Sequence, residues 1–226
     1  MKVKLIPVIN LEVYGLKNLE YPKNGPYWEF AKEWDLYNKK ARIRKGYSSS
    51  MKPYVQGATF YEIDQFSDID LSFLIQNQID SVEEDEDVSL IEQLYSIDGG
   101  CVLNVNGIDV LLPQCCSNLN CFHSWIDLFL EPNNHFYQGH PSPKIKVTEN
   151  KILIDLVNHH FKGESFAQKI TVPQIELDSA DLIKAIELAS TEFDLLRQRI
   201  RRLKLGTDWD IVGLENILVF EKIIHK

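Results

Sequence analysis

The chain has 226 residues, 44% hydrophobic and 25% charged, a composition that excludes wholesale disorder and fibrous repeats and allows one substantial core. Its net charge of −9 is regional: residues 53–143 carry fifteen acidic residues and no lysine or arginine, whereas residues 1–52 carry eleven cations against five anions and residues 144–226 carry thirteen of each. No run approaches eighteen apolar residues, so no membrane-spanning helix is expected, and a strongly acidic surface would repel phosphates, which argues against nucleic-acid binding.

Residues 2–14 read as a first strand, with Val3, Leu5, Val8, Leu11 and Val13 in an extended pattern. The run is short, is broken by Pro7 and lacks a small-residue cleavage site, so it does not read as a signal peptide, and a cytoplasmic protein is expected. Pro26 suits a first helical position, and Tyr27, Phe30, Trp34, Tyr37 and Ala41 recur at helical spacing and place four aromatics on one face. Lys39, Lys40, Arg42, Arg44 and Lys45 at the end of that helix complement its dipole and are expected to remain in water. Val55, Thr59, Phe60, Tyr61 and Ile63 predict a strand, while residues 71–79 fit helix or strand. The acidic run from Asp80 to Asp87 precedes a helix expected from Val88 to Tyr95, where the dipole favours carboxylates.

The sharpest local signal is Asn106-Gly107 between two apolar runs, because both central residues of a type I′ hairpin turn need positive φ. A helix follows from Phe122 to Leu130, then a second hairpin from Lys144 to Leu156 about Glu149-Asn150. Ile170 to Leu177 is a strand that Pro173 confines to an edge or a bulge. Leu182, Ile186, Ala189, Phe193, Leu196, Ile200 and Leu203 form the stripe of the longest helix, expected to lie across a sheet rather than to zip onto a second copy. The arginines at its end, Arg197, Arg199, Arg201 and Arg202, read mostly as dipole complement. Residues 211–224 close the chain as a strand or a short helix. The expected fold is one α+β domain over residues 1–226, a mostly antiparallel sheet covered by two main amphipathic helices at 27–41 and 179–204.

Cys115, Cys116, Cys121 and His123 lie within nine residues and supply three sulfurs and a nitrogen. The spacing is wrong for structural zinc, whose cysteine pairs are two to four residues apart so that each chelates from a turn. Adjacent Cys115 and Cys116 would also make a poor structural disulfide. A thiol enzyme would need an oriented base, for which His123, His135, His140, His159 and His160 are available, but no nucleophile, phosphate-loop or metalloprotease signature accompanies them. No cofactor is expected.

The segment from Asp98-Gly-Gly-Cys-Val-Leu to Leu112-Pro-Gln-Cys-Cys-Ser-Asn-Leu119, followed by Trp125, resembles the small acidic immunity proteins of bacterial polymorphic-toxin systems. The resemblance covers about thirty residues and implies an α+β protein that neutralises a cognate toxin domain without catalysis of its own. Together with the charge pattern it predicts a basic protein partner, a cognate toxin among the candidates, docked on Asp64, Asp68, Asp70, Glu83, Glu84, Asp85, Glu86 and Asp87. The two other expectations are a metal- or thiol-dependent enzyme built on Cys115, Cys116, Cys121 and His123, and a structural subunit dimerising through the 182–203 stripe.

Overall fold

The computed structural model describes residues 1–13, 15–82, 93–130, 135–157, 164–203 and 213–220. Among them are seven strands, β1 (Val3–Asn10), β2 (Phe60–Glu62), β3 (Gly99–Val105), β4 (Ile108–Leu111), β5 (Lys144–Val147), β6 (Lys151–Asp155) and β7 (Gln174–Asp178), and five α-helices, α1 (Ala31–Lys45), α2 (Asp68–Asp80), α3 (Phe122–Leu130), α4 (Ser179–Arg202) and α5 (Leu214–Phe220). The class is α+β, as the sequence predicts, but the strands form two antiparallel sheets instead of one, ordered β2-β1-β3-β4 and β5-β6-β7. Residue contacts gather into two compact units, Met1–Val8 with Asp98–Phe193, and Ile9–Ile97 with Asp194–Lys226, where one domain is expected from the sequence.

In the first unit, β3 and β4 form the expected hairpin, with Val105 opposite Ile108 and Asn104 opposite Asp109. Asn106 and Gly107 take φ of 54° and 87°, the pair of positive values that a type I′ turn needs. The side chain of Asn104 locks the turn, donating to Asp109 Oδ1 at 2.6 Å and accepting from the Gly107 N–H at 3.1 Å. A side chain meets the edge of β4: Gln168 Oε1 accepts from the Leu112 N–H at 2.6 Å and its Nε2 donates to the Val110 carbonyl at 2.9 Å. One amide thus occupies the edge that another strand would have paired.

The second sheet is built from the hairpin β5-β6 and from β7, with Ile152 opposite Leu177 and Ile154 opposite Ile175. Ile152 and Ile154 are buried while Lys151 and Leu153 between them are exposed, the period-2 alternation of a sheet with one covered face. Pro173 precedes β7, an edge strand, and its carbonyl accepts from the Leu156 N–H at 2.9 Å, so the missing donor costs no ladder bond. The stripe of α4 is covered by its own chain: Leu182, Ala189, Phe193, Leu196 and Ile200 are all 3% exposed or less. Phe193 stacks on Phe122 with ring centroids 4.7 Å apart. The stripe is thus largely engaged within the chain, and the large apolar side chains that this helix leaves exposed are Ile183, Leu188 and Leu195.

In the second unit, α2 settles the ambiguity of residues 71–79 as helix. Ser67 caps it, its Oγ accepting from the Asp70 N–H at 3.1 Å, and Leu71, Ile75 and Ile79 recur at helical spacing on the buried face. Helix α1 begins at Ala31, five residues after the expected start, because the Pro26 carbonyl first accepts the N–H groups of Glu29 and Phe30 in a separate turn. It ends at Gly46, whose φ of 113° lets its N–H return to the Arg42 and Ile43 carbonyls. Of the four aromatics only Tyr37 is buried. Arg42, expected in water with its basic neighbours, is 2% exposed: its guanidinium donates to the Met51 carbonyl at 2.9 Å and lies over the Tyr61 ring, 5.0 Å from the centroid. The final helix α5 has its Leu218 carbonyl accepting from the Ile97 N–H at 2.8 Å and from the Ser96 hydroxyl at 3.0 Å, which satisfies a helix-end group that has no partner within the helix. Among the described residues, no helix is long and apolar enough to cross a membrane.

Candidate functional site

The acidic residues that the sequence nominates are not alike. Glu83, Glu84, Asp85, Glu86 and Asp87 lie outside the described residues. Asp64, in the short 3-10 turn Ile63–Gln65, is exposed. Asp68, the first residue of α2, is exposed but tied down: Oδ1 accepts from Arg199 Nη2 at 2.9 Å and Nε at 3.3 Å. Arg199 also donates to the Phe66 and Ile63 carbonyls, so it clasps the turn leading into α2 and does more than complement its own helix. Asp70 is 4% exposed and faces inward, where its carboxylate accepts from the Ser48 N–H at 2.7 Å and the Ser67 hydroxyl at 2.6 Å. It belongs to the frame and presents nothing to a partner, which corrects its assignment to the docking surface. Between Asp68 and Asp70 stands Ile69, 83% exposed. Asp64 in the turn, and Asp68 and Ile69 at the capped start of α2, are thus three exposed side chains within six residues.

The cysteine segment is resolved equally sharply. Cys101 is buried in β3, and burial, with Glu192 and Cys121 beside it, pushes its thiol well above the usual range, so it is no nucleophile at neutral pH. Cys121 is buried too, and its sulfur accepts from the Asn118 N–H at 3.4 Å while its thiol points to Asn118 Oδ1 at 3.6 Å. That pairing organises the entry into α3. Cys115 and Cys116 are exposed, with their sulfurs 3.4 Å apart. His123 is half-buried on α3. Among the described residues, no three His, Cys, Asp or Glu side chains converge as metal ligands.

What holds the Cys115-Cys116 turn is a set of buried glutamines that sequence reasoning passed over. Gln114 Nε2 donates to the Leu112 carbonyl at 2.7 Å and to Gln168 Oε1 at 3.2 Å, and its Oε1 accepts from the Ala167 N–H at 2.7 Å. Gln138 Oε1 accepts from the indole of buried Trp125 at 2.6 Å, its Nε2 donates to the Cys101 carbonyl, and its backbone carbonyl accepts from the Gln114 N–H at 3.0 Å. All three glutamines are 5% exposed or less. The one signal in the sequence is that Gln114 directly follows the apolar run ending at Pro113, where a buried amide needs internal partners.

The turn is closed by backbone. The His140 N–H donates to the Cys115 carbonyl at 2.9 Å, and a Cβ at Gly139, φ 86°, would stand 2.5 Å from that same oxygen, so only glycine fits. The Tyr137 hydroxyl reaches the Cys116 carbonyl at 3.4 Å, and its ring meets that of His140 edge-on at 5.2 Å. Burial, with Cys121, Cys116 and Cys115 nearby, raises the Tyr137 hydroxyl above the ordinary tyrosine value and keeps it a donor. An open depression beside the turn is lined by Cys115, His140, Pro141, Glu164 and Ser165. His159 and His160 lie outside the described residues. No protein family, curated protein or solved structure matches the chain, so the likeness to immunity proteins rests on the thirty residues that carry it.

Proposed function

We propose that this chain is a non-enzymatic acidic binding protein that docks a basic partner, in the manner of an immunity protein neutralising a toxin domain. The observation that supports it is the segment leading into α2, where exposed Asp64 and Asp68 precede Ile69, 83% exposed, with Ser67, Asp70 and Arg199 tying the start of the helix. Carboxylates at the rim steer a cationic surface into place and an apolar side chain supplies the anchor, the division of labour found in protein interfaces. The segment of 91 residues in which they lie carries no lysine or arginine.

The test begins with a tagged capture from the native source at low and high salt, followed by association kinetics with the purified partner. The expected result is one basic protein held at equal stoichiometry and released by salt. Asp64→Lys should slow association several-fold, as rim charges do, and Ile69→Asp should weaken binding by about 30-fold, the effect of removing an anchor worth roughly 2 kcal/mol. Both residues are exposed, so neither change should lower the melting temperature. A partner bound equally well by both variants would remove this face from the interface, and no basic partner at either salt would remove the function.

A further inference from the structure

Helix α1 turns its branched aliphatic side chains outward. A surface helix keeps such residues toward the core, yet the two that α1 carries, Leu36 and Ile43, are 55% and 42% exposed, while its inner side holds Tyr37, Ala41 and the buried Arg42. At about 100° and 1.5 Å per residue, Leu36 and Ile43 differ by about 20° in phase and stand about 10 Å apart along the axis. Lys32, Lys39 and Lys40 are exposed as well, and all three fall within about 60° of the same line. The outer face of α1 is thus a pair of bare aliphatics flanked by three lysines.

The charge of this face is not neutralised locally. Among the described residues, none of the three lysines joins an ion pair. Of the helix's own carboxylates, Glu33 accepts from Asn24 Nδ2 at 3.0 Å and Asp35 is half-buried at the border of the face. Arg44 turns its guanidinium to the Lys17 and Asn18 carbonyls. The surrounding segment has the same sign, with eleven cations against five anions over residues 1–52. The molecule's net charge of −9 opposes an anionic surface only weakly here, since salt screens charges more than about 8 Å away.

Three kinds of surface carry the complementary charge, and the residue types choose among them. Protein interfaces favour arginine and aromatic side chains and are depleted in lysine. A nucleic acid offers phosphates to the lysines but nothing to Leu36 and Ile43. An anionic bilayer takes both. Aliphatic side chains enter the boundary between headgroups and acyl chains, while lysine stems lie along them and keep their ammonium groups among the phosphates.

We propose that the outer face of α1 is a peripheral docking surface for an anionic lipid bilayer, with Leu36 and Ile43 inserted and Lys32, Lys39 and Lys40 among the headgroups. This face is separate from the start of α2, so the proposal stands whether or not the chain binds a basic protein. The contact is reversible, because it rests on two side chains and three charges, each lysine contributing roughly fivefold in partition.

The test floats the full chain with vesicles of equal parts phosphatidylserine and phosphatidylcholine, and with vesicles of phosphatidylcholine alone. The chain should rise with the first and stay behind with the second, and high salt should release most of it. Lys39→Gln/Lys40→Gln should lower the partition coefficient about 25-fold, at roughly fivefold per lysine. Leu36→Ser/Ile43→Ser should lower it about tenfold or more through loss of the inserted area. All four positions are exposed, so circular dichroism should show both variants folded as the parent is. Ile69→Asp, which disables the proposed protein-docking face, should float as the parent does. Equal flotation on phosphatidylcholine alone, or none on either, would overturn the proposal. So would a Leu36→Ser/Ile43→Ser variant that partitions as the parent does, because the attraction would then be charge alone. A concentration-dependent mass that this variant abolishes would also overturn it and assign the face to a second copy.

Discussion

Asp70 occupies a junction that no neutral side chain of its size would hold as well. Its backbone N–H is taken by Ser67 Oγ, its carboxylate receives the Ser67 hydroxyl and the Ser48 N–H, and the whole is shielded from water. Replacing it by alanine removes the acceptor of the Ser67 hydroxyl and strands the Ser48 N–H. Asp70→Ala should therefore cost about 2–3 kcal/mol, a fall in melting temperature of roughly 5–10 °C for a chain of this size. Affinity for a basic partner, measured on the folded fraction, should be unchanged. Reduced affinity at full stability would return Asp70 to the docking surface. The neighbouring Asp64, two turns of chain away and bare, should behave in the opposite sense.

At the scale of elements, α4 carries most of what can be tested by simple truncation. Phe193 is fully buried and stacks on Phe122, so Phe193→Ala should cost about 3–5 kcal/mol through lost transfer energy and the cavity left behind. Sedimentation should give the same dependence of mass on concentration for variant and parent; a shift toward lighter species in the folded variant would restore the dimer reading. This stripe, the Asn106-Gly107 hairpin, α3 and the Glu149-Asn150 hairpin were all legible in the sequence because each is specified locally, by a period or by a turn chemistry. The second sheet was not. The edge of β4 is met instead by Gln168, whose bond to the Leu112 N–H spans 56 residues of sequence and leaves no periodic trace. The fate of Arg42 escaped for a similar reason: in sequence it is one cation among five, and only the tertiary placement of Met51 and Tyr61 draws it inside. Among the candidate site residues, composition located the carboxylates but could not distinguish inward Asp70 from outward Ile69, since that distinction is a matter of about one residue of helical phase.

For the molecule as a whole, the response to alkali is carried by buried groups held protonated, and two tyrosines show the sign. Burial holds the Tyr47 hydroxyl up to about 12, against 10.0 for a free tyrosine, and burial together with Tyr21 holds Tyr37 up to about 12 as well. Below pH 10 both are protonated whether the chain is folded or not. Above it the unfolded chain releases protons that the folded chain retains, so the contribution of these two tyrosines is full below pH 10 and is lost as pH rises toward 12, after the buried Cys101 thiol, ordinarily 9.0, has begun to act in the same sense. Denaturant midpoints measured across that window should fall, and the fall should be shallower in a Tyr37→Phe/Tyr47→Phe double variant; parallel slopes would show that other groups govern alkaline unfolding.

The glutamine frame behind Cys115 and Cys116 has the opposite character. Gln114, Gln138 and Gln168 carry neither charge nor titratable proton, and their bonds to Leu112, Val110, Ala167, Cys101 and Trp125 are between neutral groups. Acid, alkali and brine, which reshape the charged exterior, have little purchase on such a frame. The thiol pair is thus mounted on a part of the molecule that keeps one shape through swings of cellular environment.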